Sequence, residues 1–383
     1  MPTVLVTGSS RGIGQAIAQA LRERGATVIG HATGALDADT IAADLAEPMG
    51  PQMLWQEALE RGGGRIDVLV NNAGIFAANP LDSSDIAWLD SWEDTLRINL
   101  TAAAPRSPDL PPGPPVTEIL DQCQDKDGWS DPAPPVRLFA NVYDVGTCGI
   151  VVLLVASGEG HILLDSGPAD AAPLVMANIR ALGFATEDVE WILTSHEHHD
   201  HVGGVAELQA LTGAKVAANA AAKRQLETGV ADPTDPQAGI HGVFRGIRVD
   251  RVMHDGEELT LGPLRLTMHA TPGHAPGSTS WSWRSCEGED CRLVAFADSV
   301  TAVSADDYRF SDHPDYVSRF REALDAVAAI DCDLIITPHP GASQLYERLA
   351  GDAPLTDPSA CRNYAAWGRE QLDARLARET GDE

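Results

Sequence analysis

Val189-Glu190-Trp191-Ile192-Leu193-Thr194-Ser195-His196-Glu197-His198-His199-Asp200-His201-Val202-Gly203-Gly204 decides how this chain is read. The apolar run Val189 to Leu193, rich in β-branched and aromatic residues, predicts a buried strand. The Gly pair opens an amphipathic run, Val205 to Leu211, that predicts a helix. The polar cluster between them therefore lies at the carboxyl end of a strand, where α/β proteins place their chemistry. Four histidines and two carboxylates fall within six residues, although the whole chain of 383 has only 12 histidines. A solvated loop with chance histidines does not account for that density.

The spacing His-x-His-x-Asp-His suits a metal, since neutral imidazole and carboxylate are natural zinc ligands. His196 and His198, two apart in an extended loop, can point the same way. Asp200 and His201 follow a turn and can face a second ion. His199 is read as a spectator. Two more histidines stand in rigid loops at strand ends: His274 in Thr271-Pro272-Gly273-His274-Ala275-Pro276-Gly277-Ser278-Thr279, and His339 in Ile335-Ile336-Thr337-Pro338-His339-Pro340-Gly341-Ala342-Ser343. Pro and Gly on both sides favour preorganised ligands. His31, His161, His241, His254, His269 and His313 have no such setting and are read as non-ligating.

The length allows two or three domains. Composition is that of a globular protein, 44% hydrophobic and 22% charged, with a formal charge of -29. Lys126, Lys215 and Lys223 are its only lysines. Such a field repels phosphate backbones, which argues against nucleic-acid partners. No apolar run is long enough to span a bilayer, so no membrane partner is expected. Met1-Pro2-Thr3-Val4-Leu5 lacks a basic flank and a cleavage site, so no signal peptide is expected. All six cysteines, Cys123, Cys148, Cys286, Cys291, Cys332 and Cys361, lie beyond residue 120. Their even number and clustering favour disulfides, whereas the missing leader favours buried thiols; composition leaves both open.

Residues 1–104 read differently. Val4 to Thr7 is a short strand, followed by Gly8-Ser9-Ser10-Arg11-Gly12-Ile13-Gly14 and a helical run from Gln15 to Arg24. A strand, a Gly-rich turn and a helix N-terminus in this order can cradle a pyrophosphate. Thr27 to Gly30 and Ile66 to Val70 are further strands, the second leading into Asn71-Asn72-Ala73-Gly74. These motifs resemble the short-chain dehydrogenase/reductase family. Asp44-Leu45 is similar to its adenine-contacting segment, and Arg97-Ile98-Asn99-Leu100 to its structural and catalytic Asn segment. The resemblance implies a cofactor site at Gly8, Arg11, Gly12, Gly14 and Asn71. With Gly30-His31 in place of an acid after the second strand, and with Arg11 able to meet a 2′-phosphate, it leans towards NADP.

That resemblance stops near residue 104. No Tyr is followed four places on by Lys, so the family's Tyr-x-x-x-Lys pair is missing. The last strands are missing too, which leaves the fourth an unpaired edge. Residues 1–104 are thus expected to be a truncated Rossmann-like parallel sheet without dehydrogenase activity, and NADP is not expected as a working cofactor. Six prolines within Pro105 to Pro115 make residues 105–121 a linker.

Residues 122–383 intermix strands and helices in a pattern that suits a two-sheet core flanked by helices. Gly149 to Ala156 reads as one continuous strand. The His motif, His274, Asp298-Ser299 and His339 together resemble the metallo-β-lactamase superfamily. Gly-His-Ala-Pro-Gly-Ser-Thr-Ser-Trp, Phe-Ala-Asp-Ser and Thr-Pro-His-Pro-Gly-Ala-Ser are similar to class B, subclass 3. The resemblance implies an α/β fold, the αββα sandwich. It implies two zinc ions, one held by His196, His198 and His274 and the other by Asp200, His201 and His339. It implies hydrolysis of the β-lactam amide bond of penicillins, cephalosporins and carbapenems, and with it antibiotic resistance. In that chemistry two ions roughly 3.5–4 Å apart activate a shared water that attacks the carbonyl.

The resemblance further implies that Asp200 orients the hydroxide, that Ser299 and Thr301 contact substrate, and that Asp165 supports the ligand loop. It implies the pairings Cys123–Cys148, Cys286–Cys291 and Cys332–Cys361, a small-molecule substrate and a monomer. Relatives of this kind are periplasmic, whereas the leaderless start points to the cytoplasm. Three alternatives stand beside this reading. One is a lactonase or glyoxalase-type thioesterase, in which Asp298 would bridge the metals. The others are an NADP-dependent oxidoreductase and a non-catalytic binding module.

Overall fold

The computed structural model describes residues 2–34, 37–47, 50–75, 92, 95–96, 98–99 and 110–381. Arg97 and Leu100 of the Asn segment and residues 105–109 of the Pro-rich stretch lie outside them. The chain divides into two compact units, Met1–Arg106 and Ser107–Glu383.

In the first unit, strands β1 (Thr3–Val6), β2 (Thr27–Ala32), β3 (Thr40–Ala42) and β4 (Val68–Val70) form a parallel sheet in the order β3-β2-β1-β4. Helices Gly12–Glu23 and Gly50–Arg61 accompany it. Alternation along β1 sends Leu5 into one small core with Ile29, Ile41 and Leu54, and Val4 and Val6 into another with Ala18 and Val28. Among the described residues β3 and β4 lie at the two ends of that order, and Val68 and Leu69 of β4 are half exposed.

The second unit is built on two sheets. The larger contains β5 (Val136–Phe139), β6 (Val142–Asp144), β7 (Leu153–Val155), β8 (His161–Leu164), β9 (Val189–Leu193), β10 (Lys215–Asn219) and β11 (Arg251–Met253), in the order β11-β10-β9-β8-β7-β6-β5. The smaller contains β12 (Glu258–Leu261), β13 (Leu264–Ala270), β14 (Thr279–Glu287), β15 (Asp290–Phe296) and β16 (Leu334–Ile336), in sequence order.

The period-2 alternation of each strand sorts the side chains into three layers. Leu153, Ile162, Leu164 and Leu193 of the larger sheet meet Leu266, Trp281, Phe296 and Ile336 of the smaller one in a central core. Tyr143, Leu154, Leu163 and Ile192 face the other way, onto helices Ala172–Ala181, Val205–Thr212 and Lys223–Thr228. Ala295, Ala297 and Ile335 of the smaller sheet face helices Pro314–Ala329 and Ala360–Thr380. This is the αββα sandwich. β7 and the Ile162–Leu164 part of β8 read as unbroken apolar runs because both of their faces are covered.

Two details differ from the sequence reading. The run Gly149 to Ala156 is not one strand; only Leu153–Val155 is. Asp144 Oδ1 accepts the N–H groups of Gly146 and Val152 at 2.9 and 3.2 Å, and Thr147 N–H donates to the Ile150 carbonyl at 2.9 Å, so residues 146–152 fold back as a loop. Residues Val116–Cys123, which begin inside the stretch read as linker and run past its end, form a helix. The three disulfides are Cys123–Cys148, Cys286–Cys291 and Cys332–Cys361, the pairs the resemblance implies.

Candidate metal centre

Five strand ends converge on one place. β8 leads to Asp165, β9 leads into His196 to His201, and the β13–β14 loop carries His274. β15 leads to Asp298 and β16 to His339. Close backbone approach holds these loops together, and two glycines permit it. A Cβ on Gly203 would lie 2.4 Å from the His199 carbonyl and 2.8 Å from the Ala169 N, so the His199–Val202 helical turn could not pack on the Asp165 loop. A Cβ on Gly277 would lie 2.4 Å from Glu197 Oε2. Glu197 is fully buried and accepts the Gly277 N–H at 2.8 Å, which ties the first ligand loop to the His274 loop. Burial, followed by the field of Asp235, pushes its carboxyl up to about 8.

Asp165 is the second anchor. Its backbone takes φ 64°, the left-handed region a non-glycine residue occupies only when its surroundings hold it there. Ser195 N–H and Oγ–H donate to its two carboxylate oxygens at 2.7 and 2.6 Å. The same carboxylate stands 3.4 Å from His201 Nδ1. Asp165 thus supports the ligand loop, as the resemblance implies.

Each histidine of the first trio is pinned through one nitrogen and presents the other. His196 Nδ1 lies 2.8 Å from Asp298 Oδ1. His198 Nε2 lies 2.9 Å from Asp235 Oδ2. His274 Nδ1 lies 2.9 Å from the Thr301 carbonyl. A carboxylate or carbonyl only accepts, so each of these nitrogens carries the hydrogen and the opposite nitrogen offers a lone pair. Donor atoms of His196, His198 and His274 lie within 4.8 Å of one another, and so do those of His196, Asp200 and His201. His339 Nε2 is 3.2 Å from His201 Nε2 and 3.6 Å from Asp200 Oδ2. The structure therefore brings all six predicted ligand residues together.

The electrostatics suit cation binding. Burial and neighbouring imidazoles hold His196 well below its usual range, His198 and His274 near about 3, and His339 near about 4. All four are neutral, the form that ligates. Burial would also lower His201, but Asp200 and Asp165 outweigh it and raise the ring to about 10. Burial would raise Asp200, but His201 and the other imidazoles hold it far below the ordinary carboxylate range. Asp200 and His201 would exchange that pairing for a bound cation, with loss of the His201 proton. His196 Nε2 and Asp200 Oδ1 are buried without a hydrogen-bond partner. Orphans of this kind are rare in folded proteins, and a metal is a natural occupant for them. The residues fit a metal centre.

Sequence reasoning missed the long connection between helix Lys223–Thr228 and β11, which supplies Asp235, Gln237 and His241. Gln237 Nε2 lies 3.2 Å from His274 Nε2, and Gln237 Oε1 lies 3.0 Å from His241 Nε2. His241, read as having no ligand setting, stacks on His198 with ring centroids 3.9 Å apart. Donor atoms of His198, Asp200 and His241 form a third close group. The only local signal was a Pro- and Asp-rich loop, which does not reveal which way it folds. Ser299 is buried beside Asp298, and Thr301 is half-buried with its carbonyl and hydroxyl oxygens against His274 Nδ1.

In the first unit, Gly8 and Gly12 take φ of 62° and 61°, and the exposed Arg11 sits at the N-cap of helix Gly12–Glu23. Gly14 is buried there; a Cβ on it would lie 2.3 Å from Asn72 Nδ2. Asn72, next to the predicted Asn71, donates to the Thr7 and Gly8 carbonyls at 3.0 and 3.1 Å and braces the loop. Asn99 exchanges two hydrogen bonds with the Ile75 backbone, both 2.8 Å. His31 is buried, and its Nδ1 accepts the Gly8 N–H at 3.1 Å.

Comparison with known proteins agrees with both units. The profile of the Metallo-beta-lactamase superfamily matches residues 145–339, and that of the short chain dehydrogenases matches residues 2–106. The chain belongs to the metallo-β-lactamase superfamily and carries a short-chain-dehydrogenase segment ahead of that domain. Its fold is that of a metal-dependent hydrolase, and its structural neighbours are B3 metallo-β-lactamases.

Among solved structures it is similar to metallo-β-lactamase MIM-1 from Novosphingobium pentaromativorans, with 52% identity and a TM-score of 0.68 over 70% of this chain and 99% of that one. It is also similar to MEM-A1, a subclass B3 enzyme from a soil metagenome library, with 39% identity and a TM-score of 0.64 over 67% of this chain and 100% of that one. Among curated proteins it is 28% identical to the hydroxyacylglutathione hydrolase of Acidiphilium cryptum, over 48% of this chain and 60% of that protein. Its N-terminal part is 44% identical to the 3-oxoacyl-(acyl-carrier-protein) reductase FabG of Vibrio harveyi, over 25% of this chain and 43% of that protein. The chain thus spans roughly half the length of these curated relatives. No helix among the described residues is long and apolar enough to cross a membrane.

Proposed function

We propose that this protein is a di-zinc β-lactamase that hydrolyses the amide bond of penicillins, cephalosporins and carbapenems. The observation that carries the reading is the trio His196, His198 and His274, each pinned through one nitrogen so that the other keeps a lone pair, which on His274 faces the Gln237 amide, beside Asp200, His201 and His339. Imidazole and carboxylate donors in this number suit zinc and disfavour magnesium or calcium. Zinc held there supplies a low-pKa water nucleophile and polarises the substrate carbonyl.

The protein's own residues do the rest. Asp298, Asp235 and the Thr301 carbonyl fix the tautomers and ring planes of the trio, so no reorganisation is needed during reaction. Asp200, with Oδ1 unpartnered, is placed to accept a hydrogen from the attacking water and orient it. The Ser299 and Thr301 hydroxyls, on the loop after β15, are donors for the substrate carboxylate.

A thioesterase reading rests on the likeness to hydroxyacylglutathione hydrolases and would use Asp298 as a metal bridge. Asp298 Oδ1 is engaged with His196 Nδ1, on the side of the ring away from its open nitrogen, while Oδ2 has no partner; the 39–52% identity to metallo-β-lactamases, against 28% to the hydrolase, favours the β-lactamase reading. For the first unit we propose no hydride transfer, because the sequence has no Tyr-x-x-x-Lys.

The test is zinc content together with turnover of a carbapenem, a lactone and a glutathione thioester, before and after chelation. Carbapenem turnover that disappears with the metal and returns with added zinc is expected. Thioester turnover without β-lactam turnover would replace this reading with the thioesterase one.

A further inference from the structure

His199 stands in the middle of the ligand motif and has no place in the six-residue set. Its Nδ1 lies 3.0 Å from Nδ1 of His241, a residue from the distant connection before β11. His241 Nε2 faces the Gln237 amide oxygen at 3.0 Å, so that nitrogen carries the hydrogen and Nδ1 of the neutral ring offers a lone pair towards His199. Donor atoms of His241, His198 and Asp200 lie within 4.8 Å of one another. The position of the His241 ring is set by its stack on His198, at 3.9 Å and 24°. Trp129 lies edge-on to His199 at 5.7 Å between centroids. Both imidazoles are half-buried, whereas His196, His198 and His274 are buried.

We infer that His199 and His241 form an auxiliary two-imidazole cation position beside the metal centre, completed by water and filled by zinc or a similar borderline divalent ion when that ion is in excess. The chemistry follows from the donors. Two imidazole nitrogens on one tetrahedral zinc stand roughly 3.3 Å apart, so the observed pair needs to open only slightly. Imidazole selects zinc, cobalt or copper over magnesium or calcium. The position is weaker than the two inner ones, because it has fewer ligands of its own, is more exposed, and lies close to cations already bound. It rests on the reading of the six-residue set as a metal pair. An ion seated there stands in the approach to that pair, so excess zinc should inhibit.

The test is calorimetric and spectroscopic titration of the chelator-stripped full chain with cobalt(II). Wild type is expected to bind two equivalents tightly and a third at least tenfold more weakly, with a separate change in the visible spectrum. His241→Phe keeps a ring to stack on His198 but has no donor, and His199→Phe does the same on the other side. Each should abolish the third event and relieve inhibition by excess zinc, while the two tight equivalents remain. A third event that persists unchanged in both variants overturns the inference, as does its absence in wild type. Should one variant misfold, the other decides. Failure of wild type to bind any tight equivalent would instead overturn the metal-pair reading itself.

Discussion

Asp235 shows how much a single side chain outside the ligand set governs. It accepts the His198 Nε2 hydrogen at 2.9 Å and is fully buried beneath it. Asp235→Asn offers an amide whose orientation is ambiguous and removes the charge that sharpens His198 as a ligand. We expect metal affinity to fall about 10- to 100-fold. Competition with a chromophoric chelator measures this, and an unchanged dissociation constant would refute it.

Asp144 governs a different property. Burial pushes its carboxyl up to about 7 against the pull of the Gly146 and Val152 N–H groups, and Oδ2 has no partner. Between about pH 4 and 7 the unfolded chain has released this proton while the folded one retains it, so unfolding gains on folding as pH rises. Below that window both states are protonated, and above it both are ionised, so the contribution is flat on either side. Asp144→Asn should flatten the decline of melting temperature across this window. Calorimetric scans at half-unit pH steps check it; identical slopes in both proteins would count against the assignment. The loop that Asp144 pins also presents Gly149, whose backbone bonds the His339 ring, so the same carboxyl bears on the metal centre at one remove.

Among the elements, helix Ala360–Thr380 does more than cover a sheet. Its Cys361 is bonded to Cys332, and its Tyr364 hydroxyl donates to the Asp298 carbonyl at 3.1 Å, just behind His196. The Cys332–Cys361 bond closes a separation of 29 residues, and loop-closure entropy assigns it about 3–4 kcal/mol. Cys286–Cys291 closes only 5 residues, and those two cysteines already face each other across the β14–β15 hairpin. Replacing the first pair by serine should therefore lower the denaturation midpoint much more than replacing the second. Equal losses in urea titrations would show that hairpin register depends on its disulfide.

Elements with a clear apolar pattern were legible in sequence: β9, helix Val205–Thr212, and β1, β2 and helix Gly12–Glu23 of the first unit. The run 149–156 was misread because apolar content does not distinguish a strand from a buried loop. Asp144, the residue that folds it back, is local in space but outside the run. The connection from Gly229 to Asp250 had no period at all, so Asp235, Gln237 and His241 could not be placed.

At the scale of the molecule, each unit closes its own core. The three hydrophobic clusters of the second unit draw on residues from 110 onward, and the two of the first lie within residues 4–70. Residues 107–383 alone should therefore keep the zinc stoichiometry and β-lactam turnover of the full chain. Loss of folding on removal of residues 1–106, seen as a missing cooperative melt, would show that the units are interdependent.

The six candidate ligand residues stood out in this sequence by type and spacing, whereas the αββα class and the cysteine pairs followed from its resemblance to a known family. Ligand types, strand periods and rigid Pro-Gly loops are local properties, and local properties survive in a one-dimensional string. The tautomers, the neutrality of the buried imidazoles, the part played by Asp298 behind His196, and the meeting of His199 with His241 were decided only by tertiary structure. They depend on which distant groups come within about 3 Å in a low-dielectric interior, where a single hydrogen bond determines where a proton sits.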